Sequence, residues 1–365
     1  MEECRTMPLL SIVVPTYNEV ENIPILLEEV KKALREINFE MIIVDDDSPD
    51  GTAELAEKMR EEYPFLKIIR RKNERDLATA VIEGFKNSDG EILAVMDADL
   101  QHPPEKIVEM LDKIKEGADI VVGSRYIPGG EIERWSFKRK FYSKGARAIA
   151  YLLLPKSREV KDPLSGFFML RREVIEGVEL NPIGYKILLE ILIKGRYKKA
   201  EEVPIIFRDR ERGESSLVFN EYGKYTKHLL RLSWNEGEIL RFLKFGLVGI
   251  SGVFVNEGLL WLFWGTMGVY LALASAVSVE LSILWNFIWN EVWTFHDRGK
   301  EGITEFFKRM GKFNLVSGIG LLLNVAVLML LHIEFGIYPL TANIAGIAVA
   351  FIWNFAANNL WTWFK

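Results

Sequence analysis

The sequence predicts an α/β domain on a mostly parallel sheet, followed by an all-α transmembrane domain of two tandem helical hairpins. Three observations predict it. Short apolar, β-branched runs alternate with helical patterns through the first two thirds of the chain. After about Arg241 the charged residues thin out and Trp, Phe, Leu, Gly and Asn take over. The last third then repeats itself, at a spacing that fits a duplicated pair of helices.

The elements follow in order. LLSIVVP (9–15) is a buried strand ending in Pro15, and TYNEVENIPILLEEVKKAL after it has helical spacing. FEMIIVDDDSPDGT is a second strand that runs into three acids and a turn. TAELAEKMREEY is a helix, FLKIIRR a strand and DLATAVIEGFKNS a helix. EILAVMDADL is a fourth strand, and PEKIVEMLDKIKEG and ADIVVGSRY continue the alternation. In open sheets of this kind ligands sit beyond the carboxyl ends of the strands. Pro15–Glu19, Asp45–Asp47 and Asp97–Asp99 all stand at such ends, so three polar clusters are expected on one rim.

The soluble part is assigned to 1–240 and the membrane part to 241–365. Four apolar stretches, about 247–267, 271–295, 313–333 and 338–363, are each near the ~20 residues a helix needs to cross a bilayer. KFGLVGISGVFVNEGLLWLF resembles KFNLVSGIGLLLNVAVLMLL, and LWNFIWNEVWTF resembles IWNFAANNLWTW. Asn256 and Asn324 stand 68 positions apart, as do Trp285 and Trp353, so a hairpin is duplicated. The loop between the hairpins carries Arg298, Lys300, Lys308, Arg309 and Lys312, while the loops near TMGVY and EFGIY carry no Lys or Arg. The positive-inside rule then puts the catalytic domain, the middle loop and Lys365 in the cytoplasm. Asn256, Glu257, Glu280, Asn290 and Glu291 lie in or near the spans and are read as packing and anchoring groups rather than a transport path.

The net charge is −5 with no long run of one sign, which argues against nucleic acid as a main partner. The single cysteine, Cys4, excludes an internal disulfide and a Cys-based zinc cluster. No charged-then-apolar signal segment opens the chain, which again points to a cytoplasmic first domain.

AVMDADLQHPP (94–104) is the most informative stretch. Two carboxylates one residue apart at a strand end suit Mg²⁺ or Mn²⁺, hard cations that take oxygen ligands and share them with phosphates. The metal ligands are read as Asp97, Asp99 and Gln101. Gln101 faces the same side as Asp99 if the chain stays extended. A glycosidase acid pair is the poorer reading, because acids this close in sequence would not flank a bond from opposite sides. Asp45 and Asp47 read as turn-forming residues and His102 as a structural hydrogen-bonding group.

Together SIVVPTYNEVENI, IIVDDDSPDGT, VMDADLQHPPE, DPLSGFFMLRREV and RDRERGESSL resemble the polyprenyl-phosphate glycosyltransferases, and among them the archaeal-type dolichol-phosphate mannose synthases. The tail is similar to GtrA-like four-helix membrane domains. The resemblance implies a GT-A fold, a metal-dependent inverting transfer, GDP-mannose as donor and dolichyl (polyprenyl) phosphate as acceptor. It assigns Pro15, Tyr17 and Glu19 to the nucleotide pocket, and Val44 and Asp46 to base and ribose. Asp97, Ala98, Asp99 and Gln101 fall to metal and diphosphate, Arg125 to the donor or transferring phosphate, and Arg210 and Ser216 to the closing clamp. This sequence departs from the family at Arg75-Asp76, where relatives more often have Gly-Leu, and at Ser216, where many carry lysine. No function is assigned to the first pair.

Two segments mix basic and aromatic residues, RWSFKRKFYSKGARAIAYLLLP (about 134–155) and SSLVFNEYGKYTKHLLRLSW (about 216–235). Such segments lie in the interface of a lipid bilayer. The first resembles the family's acceptor segment, with Arg139 and Ser143 one helical turn apart to hold the lipid phosphate. A phosphate monoester with its second pKa near ~6 is largely dianionic at neutral pH. It needs alignment and leaving-group neutralisation more than a general base. A UDP-glucose-dependent polyprenyl-phosphate glucosyltransferase and a lipid flippase with a nucleotide-sugar-binding head are the rival readings.

Overall fold

The computed structural model describes residues 9–72, 75–133, 137–208, 219–299 and 302–363, with side chains left out at 137–140 and 219–222. The chain divides into two compact units, Met1–Leu232 and Ser233–Lys365.

The first unit alternates β1 (Leu10–Thr16), α1 (Ile23–Ala33), β2 (Phe39–Asp45), α2 (Thr52–Met59), β3 (Leu66–Arg70) and α3 (Leu77–Lys86). β4 (Ile92–Val95), α4 (Lys106–Lys115), β5 (Ile120–Ser124), β6 (Glu131–Ile132) and α5 (Phe137–Leu153) follow. β7 (Phe168–Arg171), α6 (Ile187–Lys194), β8 (Ala200–Pro204), β9 (Ile206–Phe207) and α7 (Phe219–Asn235) complete the series, with α7 running across the division between the units. Seven strands form one sheet in the order β3-β2-β1-β4-β7-β5-β8, and β6 pairs with β9 in a small second sheet. All neighbours in the large sheet are parallel except β7, which runs antiparallel between β4 and β5.

The strands are buried on both faces, hence their unbroken apolar composition. Leu10, Ile12 and Val14 of β1 and Met41 and Ile43 of β2 join one core with Leu26 of α1 and Met110 of α4. Val13, Ile42 and Val44 point the other way, toward Val81 of α3 and Leu188 of α6, as the two-residue pleat requires. A smaller cluster ties Ala150 of α5 to Leu189 of α6 and Tyr225 and Leu229 of α7.

The fourth strand stops earlier than its sequence suggests. It ends at Val95 rather than running through Leu100. Asp97 N–H donates to His102 Nδ1 at 3.2 Å, and Leu100 adopts a left-handed φ of 60°, so the chain curls at the acids.

The second unit holds α8 (Glu238–Leu260), α9 (Leu271–Trp289), α10 (Ile303–Ile333) and α11 (Pro339–Ala357). α8, α9 and α11 are each extended by a π-helical turn, giving with α10 four helices long and apolar enough to cross a membrane. Two of them start earlier than the apolar stretches, at Glu238 and Ile303 instead of about 247 and 313. The added turns are polar and their charges are paired: Arg241 with Asp297 at 2.8 Å, Arg298 with Glu238, and Arg309 with Glu291. The repeat is structural as well. A Cβ on Gly252 would overlap the Asn286 amide, and one on Gly320 would overlap the Asn354 amide, so each hairpin closes on the same glycine–asparagine contact.

Candidate active site

The site grows from the carboxyl ends of β2, β1 and β4, which are neighbours in the sheet. At the first end, Thr16 Oγ1 donates to Asp45 Oδ1 at 3.1 Å, and Asp45 Oδ2 accepts the Ser48 N–H at 2.9 Å. Asp45 therefore folds the turn, as its sequence position suggests. Asn18 takes a left-handed φ of 58° and its N–H donates to Ser48 Oγ, which lays the Tyr17–Glu19 loop over the β2 turn. Glu19 N–H donates to Thr52 Oγ1 at 3.0 Å, and its carboxylate accepts the Asn22 side-chain amide at 2.6 Å. Pro15 and Val44 are buried in the sheet, so only their backbones can meet a ligand. The Arg75 guanidinium lies 3.8 Å from the centroid of the half-buried Tyr17 ring.

Asp46, expected beside the base and ribose, is held in place from within the protein. Arg71 Nε donates to Asp46 Oδ1 at 2.7 Å, and Asp76 N–H donates to Oδ2 at 3.1 Å. Burial holds this carboxyl above its ordinary range against the opposing Arg71 bond. Asp76 in turn caps α3 through the Thr79 N–H and accepts the Gly184 N–H at 3.0 Å. The departure at Arg75-Asp76 thus joins three loops, a role the sequence did not disclose.

After β4, Asp97 is partly exposed, and Ala98, Asp99 and Gln101 are buried. The extended path assumed for 99–101 is not found. Asp99 Oδ1 accepts the Gln101 N–H at 3.1 Å across the left-handed Leu100, and Gln101 Nε2 donates to Arg208 O at 2.7 Å. That bond fixes the orientation of the amide. Among the described residues no group of three His, Cys, Asp or Glu side chains could hold a metal. The donors expected from the sequence, two carboxylates and one amide oxygen, are a set that would fit Mg²⁺ or Mn²⁺ completed by phosphate oxygens and water. His102 is not part of it. Its Nδ1 accepts from Asp97 N–H, its ring stacks on Phe167 at 5.1 Å, and burial pushes its pKa down to about 4, so it stays neutral.

The other wall comes from β5 and the segment before β7. Arg125 Nε and Nη2 donate to the two oxygens of Asp162 at 2.7 and 2.8 Å, a fork-to-fork pair with both side chains nearly enclosed. Asp162 N–H donates to Glu202 at 3.1 Å. Gly166 in the same segment lies so close that a Cβ there would stand 3.0 Å from Asp97 Oδ2. Lys186, at the start of α6, donates to Leu164 O at 2.7 Å. Burial, with the Arg125 charge adding, pushes its pKa down to about 8, while Asp162 and Asp97 pull the other way. Ser143 of α5 shares a 2.9 Å hydrogen bond with Tyr126, next to Arg125. Arg147, one turn on, stacks 3.9 Å from the Tyr126 centroid.

Asp162, Lys186 and Gly166 were not singled out in the sequence, although DPLSG was noticed as a block, and Asp76 was noticed only as a departure without a role. The side chain of Arg139, and Arg210 and Ser216 altogether, lie outside the described residues.

Known proteins resemble this arrangement along the whole chain. Residues 11–178 match the profile of glycosyl transferase family 2, and 244–363 match the GtrA/DPMS transmembrane domain. A dolichol-phosphate mannosyltransferase of Pyrococcus furiosus is 49% identical over 97% of this chain and 99% of its own. The chain belongs to the dolichol-phosphate mannosyltransferase family. Within that family it is also 34% identical to the mannosyltransferase of Mycosarcoma maydis, over 68% of this chain and 84% of that one. The polyprenol monophosphomannose synthase of Mycolicibacterium smegmatis is 34% identical over 56% and 80%. Among solved structures, a glucosyl-3-phosphoglycerate synthase from Mycobacterium tuberculosis with Mn²⁺, UDP and glucosyl-3-phosphoglycerate has a TM-score of 0.47 at 17% identity, covering 62% of this chain and 78% of that one.

Proposed function

We propose that this chain transfers mannose from GDP-mannose to dolichyl (polyprenyl) phosphate with inversion, giving a β-mannosyl phosphate lipid. The observation that carries the reading is the juxtaposition of the Asp97–Asp99–Gln101 donor set with the Arg125–Asp162 pair, linked by Gly166. Family membership supports mannose and a polyprenyl phosphate.

Each residue has a task in this scheme. Tyr17 and Glu19, with the backbones of Pro15 and Val44, line the nucleotide pocket, and Asp46 shapes it through Arg71. Asp97, Asp99 and Gln101 would hold Mg²⁺ or Mn²⁺, which supplies neutralisation of the departing diphosphate. Arg125, its plane fixed by Asp162, faces phosphate oxygens, and Lys186 adds a second cation. Arg210 and Ser216 close over the donor. Arg139 and Ser143 grip the acceptor phosphate, and Tyr126 keeps Ser143 in reach of Arg125. The acceptor oxygen is already anionic, so these residues align it and remove no proton. One displacement inverts the anomeric carbon. Residues 1–240 form the catalytic part, with α5 and α7 at the bilayer interface. The four helices of 241–365 anchor it, with the catalytic part and the chain end on the cytoplasmic, lysine- and arginine-rich side.

The test is transfer of radiolabelled sugar to dolichyl phosphate, with GDP-mannose and UDP-glucose side by side. GDP-mannose should be used, chelator should abolish transfer, and Asp99→Asn should lower it by at least about 10²-fold. Faster turnover of UDP-glucose, or full activity in chelator, would overturn the reading.

A further inference from the structure

The first membrane hairpin carries a feature that its duplicate lacks the side chains to form. A cavity of about 310 Å³ opens on its surface, lined by Leu247, Val248 and Ser251 of α8 and by Trp285, Trp289 and Trp293 on the α9 side. Its floor is low because Ser251 Oγ turns back to donate to Val248 O at 2.7 Å. The same oxygen accepts the Trp285 indole N–H at 3.0 Å, which stands that ring upright as a wall. Trp289 lies 5.7 Å from Trp285, centroid to centroid, and extends the wall. At the corresponding positions 68 residues on, the floor residue is Ile319 and the second wall residue is Ala357. There the Trp353 N–H reaches the backbone oxygen of Val316 directly, at 3.1 Å.

The two hairpins also differ in how they hold a lysine. Lys312 lies 5.1 Å from the Trp361 ring and donates to Trp361 O at 3.3 Å. Lys244 lies 5.4 Å from the Trp293 ring at one end of the groove, and has no carboxylate partner among the described residues. Its neighbours Arg241 and Arg298 are already neutralised by Asp297 and Glu238. Among the described residues the groove thus ends beside a lysine that has no ion-pair partner.

We propose that this groove holds one anionic phospholipid of the surrounding bilayer, one of its two chains between the three tryptophans and its phosphodiester on Lys244. Charge chooses the occupant. A phosphodiester whose headgroup carries no cation of its own, as in phosphatidylglycerol, has one net negative charge and matches one lysine; in phosphatidylcholine the choline already balances it. A polyprenyl phosphate is a monoester, with about −1.5 to −2 at neutral pH, and would leave charge unmet. The apolar trough accounts for the chain, and the indole rims suit the boundary between chain and headgroup.

Native mass spectrometry of the full chain, offered equal amounts of phosphatidylglycerol, phosphatidylcholine and a polyprenyl phosphate, tests this. One phosphatidylglycerol should survive activation that strips phosphatidylcholine. Ser251→Ile, which copies the second hairpin, should remove it. Lys244→Gln should weaken it about fivefold, the factor one lysine contributes near a charged membrane surface. Lys312→Gln should leave it unchanged. Equal retention in Ser251→Ile, an equal loss in Lys312→Gln, or preferred retention of the polyprenyl phosphate would overturn the proposal. Unchanged transferase activity in these variants shows that they fold, and keeps this outcome separate from the fate of the catalytic reading.

Discussion

Gly166 has one job that a single methyl would disturb. A Cβ there would press on the Asp97 carboxylate, which is the movable end of a partly exposed side chain. Gly166→Ala should therefore fold normally and lose about tenfold or more in turnover, because on the proposed reading Asp97 holds the metal and its displacement misaligns the reacting groups. Turnover and the melting temperature, measured together, check this. Lys186 gives a second test through pH. Its ammonium is present below about 8 and lost above it. Turnover should decline as pH rises through about 8 in the wild type. Lys186→Arg should carry that limb to higher pH, and Lys186→Met should abolish the limb at a lower plateau. At this scale the sequence was only half legible. Asp97 and Asp99 could be read because they follow an apolar run directly. Asp162 could not, because its partner Arg125 lies 37 residues away. Asp46 was legible as a polar strand end, but its bond to Arg71 depends on how β2 and β3 pair.

α7 is held to the rest of its unit by a polar contact as well as by Leu229 and Leu232. His228 is fully buried, and its Nδ1 accepts the Ile183 N–H at 3.2 Å. Its Nε2 stands 3.8 Å from Glu190 Oε2 on α6. Burial pushes its pKa down to about 4. An unfolded chain takes up this proton near pH 6.5 and the folded one only near 4. The stabilisation is thus complete above about 6.5 and drains away toward 4, by up to about 3 kcal/mol. Hydrogen exchange at α7 amides should accelerate over that range. His228→Asn, which keeps an acceptor for Ile183 without a titrating ring, should flatten the response. The element pattern itself was mostly legible, since period and burial agree in β1, β2, α1 and α4. The exceptions are informative. β4 ends early because Asp97 bonds back to His102, and β7 escaped notice because its antiparallel run is four residues long.

Across the whole chain, duplication makes a quantitative prediction. The Gly252–Asn286 and Gly320–Asn354 contacts are equivalent, so Gly252→Ala and Gly320→Ala should each cost about 1–3 kcal/mol of overpacking and by similar amounts. Thermal melts of both variants in one detergent check it; a large difference would mean that the hairpins are not equivalent in stability. The position of β7 has a further consequence. It fills the middle of the large sheet from a late stretch of chain, and its leading end brings Asp162 and Gly166 to the rim from the opposite direction. A ribosome that has released only the first 160 residues has delivered Asp97, Asp99, Gln101 and Arg125, but neither Asp162, which fixes that guanidinium, nor Gly166. The fork that holds Arg125 therefore closes only once the sheet's centre has been inserted.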